Sequence, residues 1–109
     1  MADSLLQLVQ EFAPSFSLKY NKFYIGLAAD GVPNNFVIFR PKKGFLTFQP
    51  RLEQSEEIQG LLDASGIDVM EYSSRGGGRY RIRLEKGDLQ KHKELIRDLM
   101  KRAYGEPEE

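Results

Sequence analysis

Arg79, Arg81 and Arg83 alternate with Tyr80, Ile82 and Leu84. Side chains of a strand point alternately to its two faces. The pattern therefore predicts an apolar face turned to a core and a ladder of three guanidiniums on the other. A guanidinium fork matches the oxygens of phosphate or carboxylate. The ladder, extended by Arg75 in the preceding glycine-rich loop, is a candidate phosphate stripe. The alternative is a solvated sheet face whose arginines pair with acids such as Glu71.

A second basic cluster, Arg40-Pro41-Lys42-Lys43, puts three like charges into one turn. On nucleic acid such a turn positions the backbone and reads no sequence. Its plainer use is to keep strand ends soluble. Lys19, Lys22 and Arg40 are also interleaved with Tyr20, Phe23, Tyr24, Phe36 and Phe39, and Phe45 and Phe48 follow. Exposed rings beside cations can stack on unpaired bases, although strand alternation sends about half of them into the core as cross-strand pairs. Tyr20 and Tyr24 are expected on the open side, because Phe23, Ile25 and Leu27 share the other face of a regular strand.

Other constellations fail on context. Gly76-Gly77-Gly78 leads into a strand, whereas a phosphate-cradling loop leads into a helix N-terminus. His92 falls beside the apolar stripe of the last helix, with no serine tied to it as a nucleophile. Glu53, Glu56 and Glu57 read as the outward start of a helix. Asp63, Asp68 and Glu71 lack the inward histidine or lysine support of a hydrolytic metal site. With no cysteine and one histidine in 109 residues, thiolate chemistry, disulfides and a cysteine zinc site are excluded. The expectation is a chain without catalytic residues, metal or cofactor.

The net charge is zero, from 16 bases and 16 acids. That neutrality is a cancellation between segments. Residues 18–52 carry +5, residues 53–72 carry −6 and residues 73–84 carry +4. The start has no basic signal region, and no apolar run approaches the roughly 20 residues of a membrane span. A cytoplasmic protein with no membrane partner is expected.

The elements that must position these charges follow the same blocks. Leu5, Leu6, Val9 and Phe12 have helical spacing, with Asp3 or Ser4 as cap and Pro14 as stop. Three β-rich runs follow, Leu18 to Leu27, Asn35 to Arg40 and Phe45 to Gln49, separated by turn signals at 30–34 and 41–44. Ser55 caps a helix over 54–65 that buries Ile58, Leu61 and Leu62 and stops at Gly66. Val69 to Tyr72 and Arg79 to Leu84 are strands, and Asp88 caps a last helix to about Tyr104. The order α-β-β-β-α-β-β-α predicts an α+β fold. It is one small domain with a largely antiparallel sheet and helices packed on one face. The core spans about 4–104, and an acidic flexible tail spans 105–109.

Several segments together carry a family resemblance: Tyr20-Asn21-Lys22-Phe23-Tyr24-Ile25-Gly26-Leu27, Asn35-Phe36-Val37, Arg40-Pro41-Lys42-Lys43, Gly78-Arg79-Tyr80-Arg81-Ile82-Arg83-Leu84, and the closing Lys101-Arg102-Ala103-Tyr104. Over roughly residues 16–104 the chain resembles a bacterial domain of unknown function often labelled "predicted transport protein". The resemblance implies an accessory module near the C-terminal end of longer proteins, some of them nuclease-like or restriction-like. It supplies no catalytic residue.

The functional expectation is a non-catalytic binding module for DNA or RNA. Arg79, Arg81, Arg83, Arg75, Arg40, Lys42, Lys43 and Lys22 would meet phosphates, and Tyr20 and Tyr24 would stack. The alternative is a protein-interaction or homodimerisation module. There the acidic helix would meet the basic strands of another copy or of the parent protein's other domains.

Overall fold

The computed structural model describes residues 2–72 and 78–105. Helix α1 (Ala2–Gln10) turns Leu5, Leu8 and Val9 inward. It begins at Ala2, so Asp3 and Ser4 lie inside its first turn instead of capping it. A further turn, closed by the Ala13 N–H donating to the Val9 carbonyl at 2.8 Å, brings the chain to Pro14.

The run Leu18–Leu27 is not one strand. It splits into β1 (Phe16–Tyr20) and β2 (Ile25–Ala29), paired with Tyr20 opposite Ile25. Asn21 makes the turn. Its N–H donates to the Tyr24 carbonyl at 2.9 Å, and its side-chain amide donates to the Lys19 carbonyl at 3.2 Å. Asparagine supplies this local bonding where the flanking aromatics alone favour a strand. A two-residue strand, β3 (Val32–Pro33), adds to β2. Strands β4 (Val37–Lys42) and β5 (Phe45–Pro50) then form a hairpin with Lys42 opposite Phe45.

Helix α2 (Glu56–Ser65) starts and stops where the residues say it should. The Ile58 N–H donates to the Ser55 hydroxyl at 3.2 Å, and the Gly66 N–H donates to the Asp63 carbonyl. Strands β6 (Asp68–Val69) and β7 (Ile82–Leu84) are shorter than expected. Arg79 makes only a single antiparallel bridge, to Arg51. The Tyr80 ring is buried instead, and its hydroxyl accepts from the Ser55 N–H at 2.9 Å. The last helix is broken into α3 (Asp88–Lys91) and α4 (Lys93–Gly105) at His92, whose φ of −114° and ψ of 26° leave the helical region. Asp88 does not cap α3. Its carboxylate accepts from the Glu85 N–H at 2.8 Å and fastens the turn before the helix.

The sheet has seven strands in the order β1-β2-β4-β5-β7-β6, with β3 beside β2, and every pair is antiparallel. The fold is α+β. Register sets its two faces: Ile25, Phe39, Phe48 and Ile82 lie opposite one another across four strands. All four belong to a core shared with Leu5 and Val9 of α1, Leu62 of α2 and Leu99 of α4. Full burial of each such side chain stabilises the fold by ~1.5–3 kcal/mol. The helices therefore cover one face, and the residues of opposite parity occupy the other.

Candidate functional site

Antiparallel pairing also decides which ends of the strands coincide. Strands β1, β4 and β7 end where β2, β5 and β6 begin. The Asn21–Tyr24 turn, the Lys43-Gly44 turn and the Glu85-Lys86 segment thus share one end of the sheet. Lys19, Lys22, Lys42, Lys43 and Lys86 are all exposed there.

On the helix-free face, just below that end, Arg40 pairs in register with Thr47, Thr47 with Arg83, and Arg83 with Asp68. The two basic segments therefore meet in one cross-strand row, through residues 43 positions apart. Phe45 stands beside the row, and the Arg83 guanidinium lies 4.1 Å from its ring centroid. Arg83 also donates to Glu85 at 3.1 Å, a surface pair that leaves its side chain 39% exposed. Arg40 is half-buried, and its Nε has no hydrogen-bond partner among the described residues. Thr47, between the two arginines, is only 2% exposed.

The arginine ladder is not uniform. Arg79 donates through its two terminal nitrogens to the Gln49 carbonyl at 2.9 Å and the Asn35 carbonyl at 2.6 Å. Burial, followed by the positive charges of Arg51 and Arg40, lowers its pKa from the ordinary arginine value to about 10, and Tyr24 works against that lowering. Arg79 staples β5 to the segment entering β4, so both terminal nitrogens of this expected phosphate contact are engaged by backbone carbonyls. Arg81 is half-buried; its carbonyl accepts from the Met70 N–H at 2.7 Å. Arg75 lies outside the described residues, as do Gly76, Gly77 and the acids of the tail.

The aromatic assignments shift with the turn. Tyr20 is 69% exposed. Tyr24 is half-buried, while Phe23, expected in the core, is 71% exposed, with the Lys22 ammonium 5.4 Å from its ring centroid. The turn at Asn21 resets the alternation, so a residue assigned inward by a continuous strand is thrust outward.

The acidic helix does not neutralise the basic face. Glu57 of α2 pairs with Arg102 of α4, and Asp98 shares that guanidinium at 3.0 Å. The hydrogen bond that Arg102 donates to Glu57, then the one it donates to Asp98, raises the Arg102 pKa above its usual value. Glu11 pairs with Arg97 at 2.8 Å. These pairs tie the helical layer to itself. Among the described residues, Lys19, Lys22, Arg40, Lys42, Lys43 and Arg81 form no ion pair.

Comparison with family models, with curated proteins and with solved structures returned no match.

Chemically, the sheet end offers cations on two hairpin tips, two arginines in a row behind them, and exposed rings alongside. Asp68, Glu85 and Asp88 lie on the β6–β7 side. Behind the Lys43-Gly44 turn an open cleft of about 1170 Å³ lies between α1, Lys42 and the 86–93 segment; it carries both Lys86 and Lys93 and the acids Asp3 and Glu11. His92 does not line it. Among the described residues, no group of three histidine or acidic side chains is arranged to hold a metal ion, and no helix is long and apolar enough to cross a membrane. This surface also holds Phe23, expected to face the core, and Lys19 and Lys86, which were not among the expected phosphate contacts. Asn21 was the available signal for Phe23.

Proposed function

We propose that this chain is a non-catalytic nucleic-acid-binding module, an accessory to a larger bacterial protein, that holds the phosphate backbone of DNA or RNA against the basic end of its sheet. The observation that carries the reading is the Arg40–Thr47–Arg83 row, which joins two distant basic segments on the face the helices leave open. Lys22, Lys42 and Lys43 extend that positive surface over the hairpin tips, and Arg81 immediately precedes β7, the strand that holds Arg83. Arg79 acts as a positioning residue that fixes the segment entering β4. Contacts of this kind bind with strong salt dependence and little sequence preference.

The alternative, a homodimer joining the acidic helix to a basic face, is weakened by the engagement of Glu57 with Arg102. Fluorescence anisotropy with labelled single- and double-stranded oligonucleotides tests the proposal. Six phosphate contacts, from Lys22, Arg40, Lys42, Lys43, Arg81 and Arg83, give a slope of log K against log salt of about −4 on a single strand. Absence of binding to any oligonucleotide at low salt contradicts it. A salt-sensitive dimer in sedimentation, without such binding, supports the alternative.

A further inference from the structure

Phe23 occupies the tip of the β1–β2 hairpin, where it is 71% exposed and belongs to no part of the core. Tyr20, at the last position of β1, is almost as exposed. Neither ring is needed to hold the turn, which is closed by the Asn21 backbone and side chain. Two large rings are thus held in water on either side of an ordered turn, with Lys22 against one and Lys19 adjoining the other in sequence.

The occupant is indicated by what surrounds them. Strands in a sheet lie about 4.8 Å apart, and β2 adjoins β4 directly. The tip carrying Phe23 is therefore about 10 Å from the tip carrying Lys42 and Lys43, by the same spacing. A ligand that reaches both must present a flat apolar face and an anion within a short span. A nucleotide does so. In a duplex the base faces are covered by their neighbours, and a side chain reaches them only by unstacking a step. In a single strand they are free, and stacking on an aromatic ring tolerates any base.

Building on the nucleic-acid reading above, we infer that the β1–β2 hairpin is a base-stacking platform and that the ligand is single-stranded. Phe23, at the tip, takes a base, while Lys42, Lys43 and the Arg40–Arg83 row take the phosphates on the neighbouring strands; Tyr20, the register partner of Ile25, flanks the tip from the helix side of the sheet. Lys22 keeps its ammonium at the edge of the stacked ring.

The test is anisotropy of the full chain with a labelled oligothymidylate and with a mixed-sequence duplex of equal length. It compares the wild type with Phe23→Ala, Phe23→Leu, Phe23→Trp and Tyr20→Ala, each checked for folding by circular dichroism. The expected result is single-strand binding at least tenfold tighter than duplex binding. Phe23→Ala and Phe23→Leu then lose about tenfold with the salt slope unchanged, since stacking is lost and no charge is; Tyr20→Ala loses less, and Phe23→Trp retains the affinity. Equal binding of single strand and duplex, untouched by Phe23→Ala, overturns the platform and leaves backbone binding standing. Absence of binding to either overturns both readings. Should Phe23→Ala abolish sedimentation with phosphatidylglycerol vesicles while oligothymidylate affinity stays intact, the tip belongs to a lipid surface and the inference fails.

Discussion

Arg40 and Arg83 flank Thr47 in one cross-strand row, each its register partner from opposite sides. The row places a guanidinium from each of two basic segments on adjoining strands of the face opposite the helices. Like charges so arranged repel one another unless solvated or met by an anion, and Glu85 answers only Arg83.

Replacing both arginines tests whether the row meets phosphate. Arg40→Gln with Arg83→Gln keeps polarity and removes two charges. The slope of log K against log salt on a single strand should become shallower by about 1.4, with affinity falling to a similar degree on every sequence. Anisotropy titrations at several salt concentrations read both quantities. An unchanged slope would remove the row from the interface.

Arg79 should behave differently, because its guanidinium is spent on the carbonyls of Gln49 and Asn35. Arg79→Met leaves both acceptors without this donor and should lower stability by about 2 kcal/mol. The salt slope of binding should stay the same. Urea unfolding followed by circular dichroism measures the first, and anisotropy the second. Full stability in the variant would show that the staple contributes nothing.

Gly78 adopts a φ of +92°, and a Cβ there would collide with the Tyr72 hydroxyl, which donates to the Leu52 carbonyl at 2.7 Å. Gly78→Ala therefore combines left-handed backbone strain with the loss or displacement of a hydrogen bond. A destabilisation of about 2 kcal/mol is expected. Adding Tyr72→Phe should relieve the clash in part, so the double variant should lose less than the sum of the two single changes. Simple additivity in thermal unfolding would contradict the contact.

Much of the fold could be read from residue types. Ser55 and Gly66 bound α2 as their chemistry requires, and the Phe45–Gln49 run forms its strand. The misreadings have local causes. Asn21 turned a strand into a hairpin by bonding its own neighbours, which a count of aromatic residues does not register. In the Arg79–Leu84 run Tyr80 is buried as alternation predicts, with its hydroxyl on the Ser55 backbone 25 positions away, but the regular strand is only Ile82–Leu84. His92 divided a helix whose apolar spacing continues across the break. Arg79 could not be told from Arg83 by alternation alone, because its partners are backbone carbonyls at distant positions. What sequence order could not show at all was the meeting of residues 40 and 83. That follows from β5 lying between β4 and β7, a matter of strand order.

The most direct measurement is a backbone amide chemical-shift map of the isotopically labelled chain titrated with oligothymidylate at low salt. Binding to the basic sheet end should move the amides of Lys19 to Tyr24, Arg40, Lys42 to Thr47 and Arg83, and leave those of α2 and the second half of α4 in place. Shifts confined to α2 and α4, or no shifts at millimolar oligonucleotide, would contradict the account.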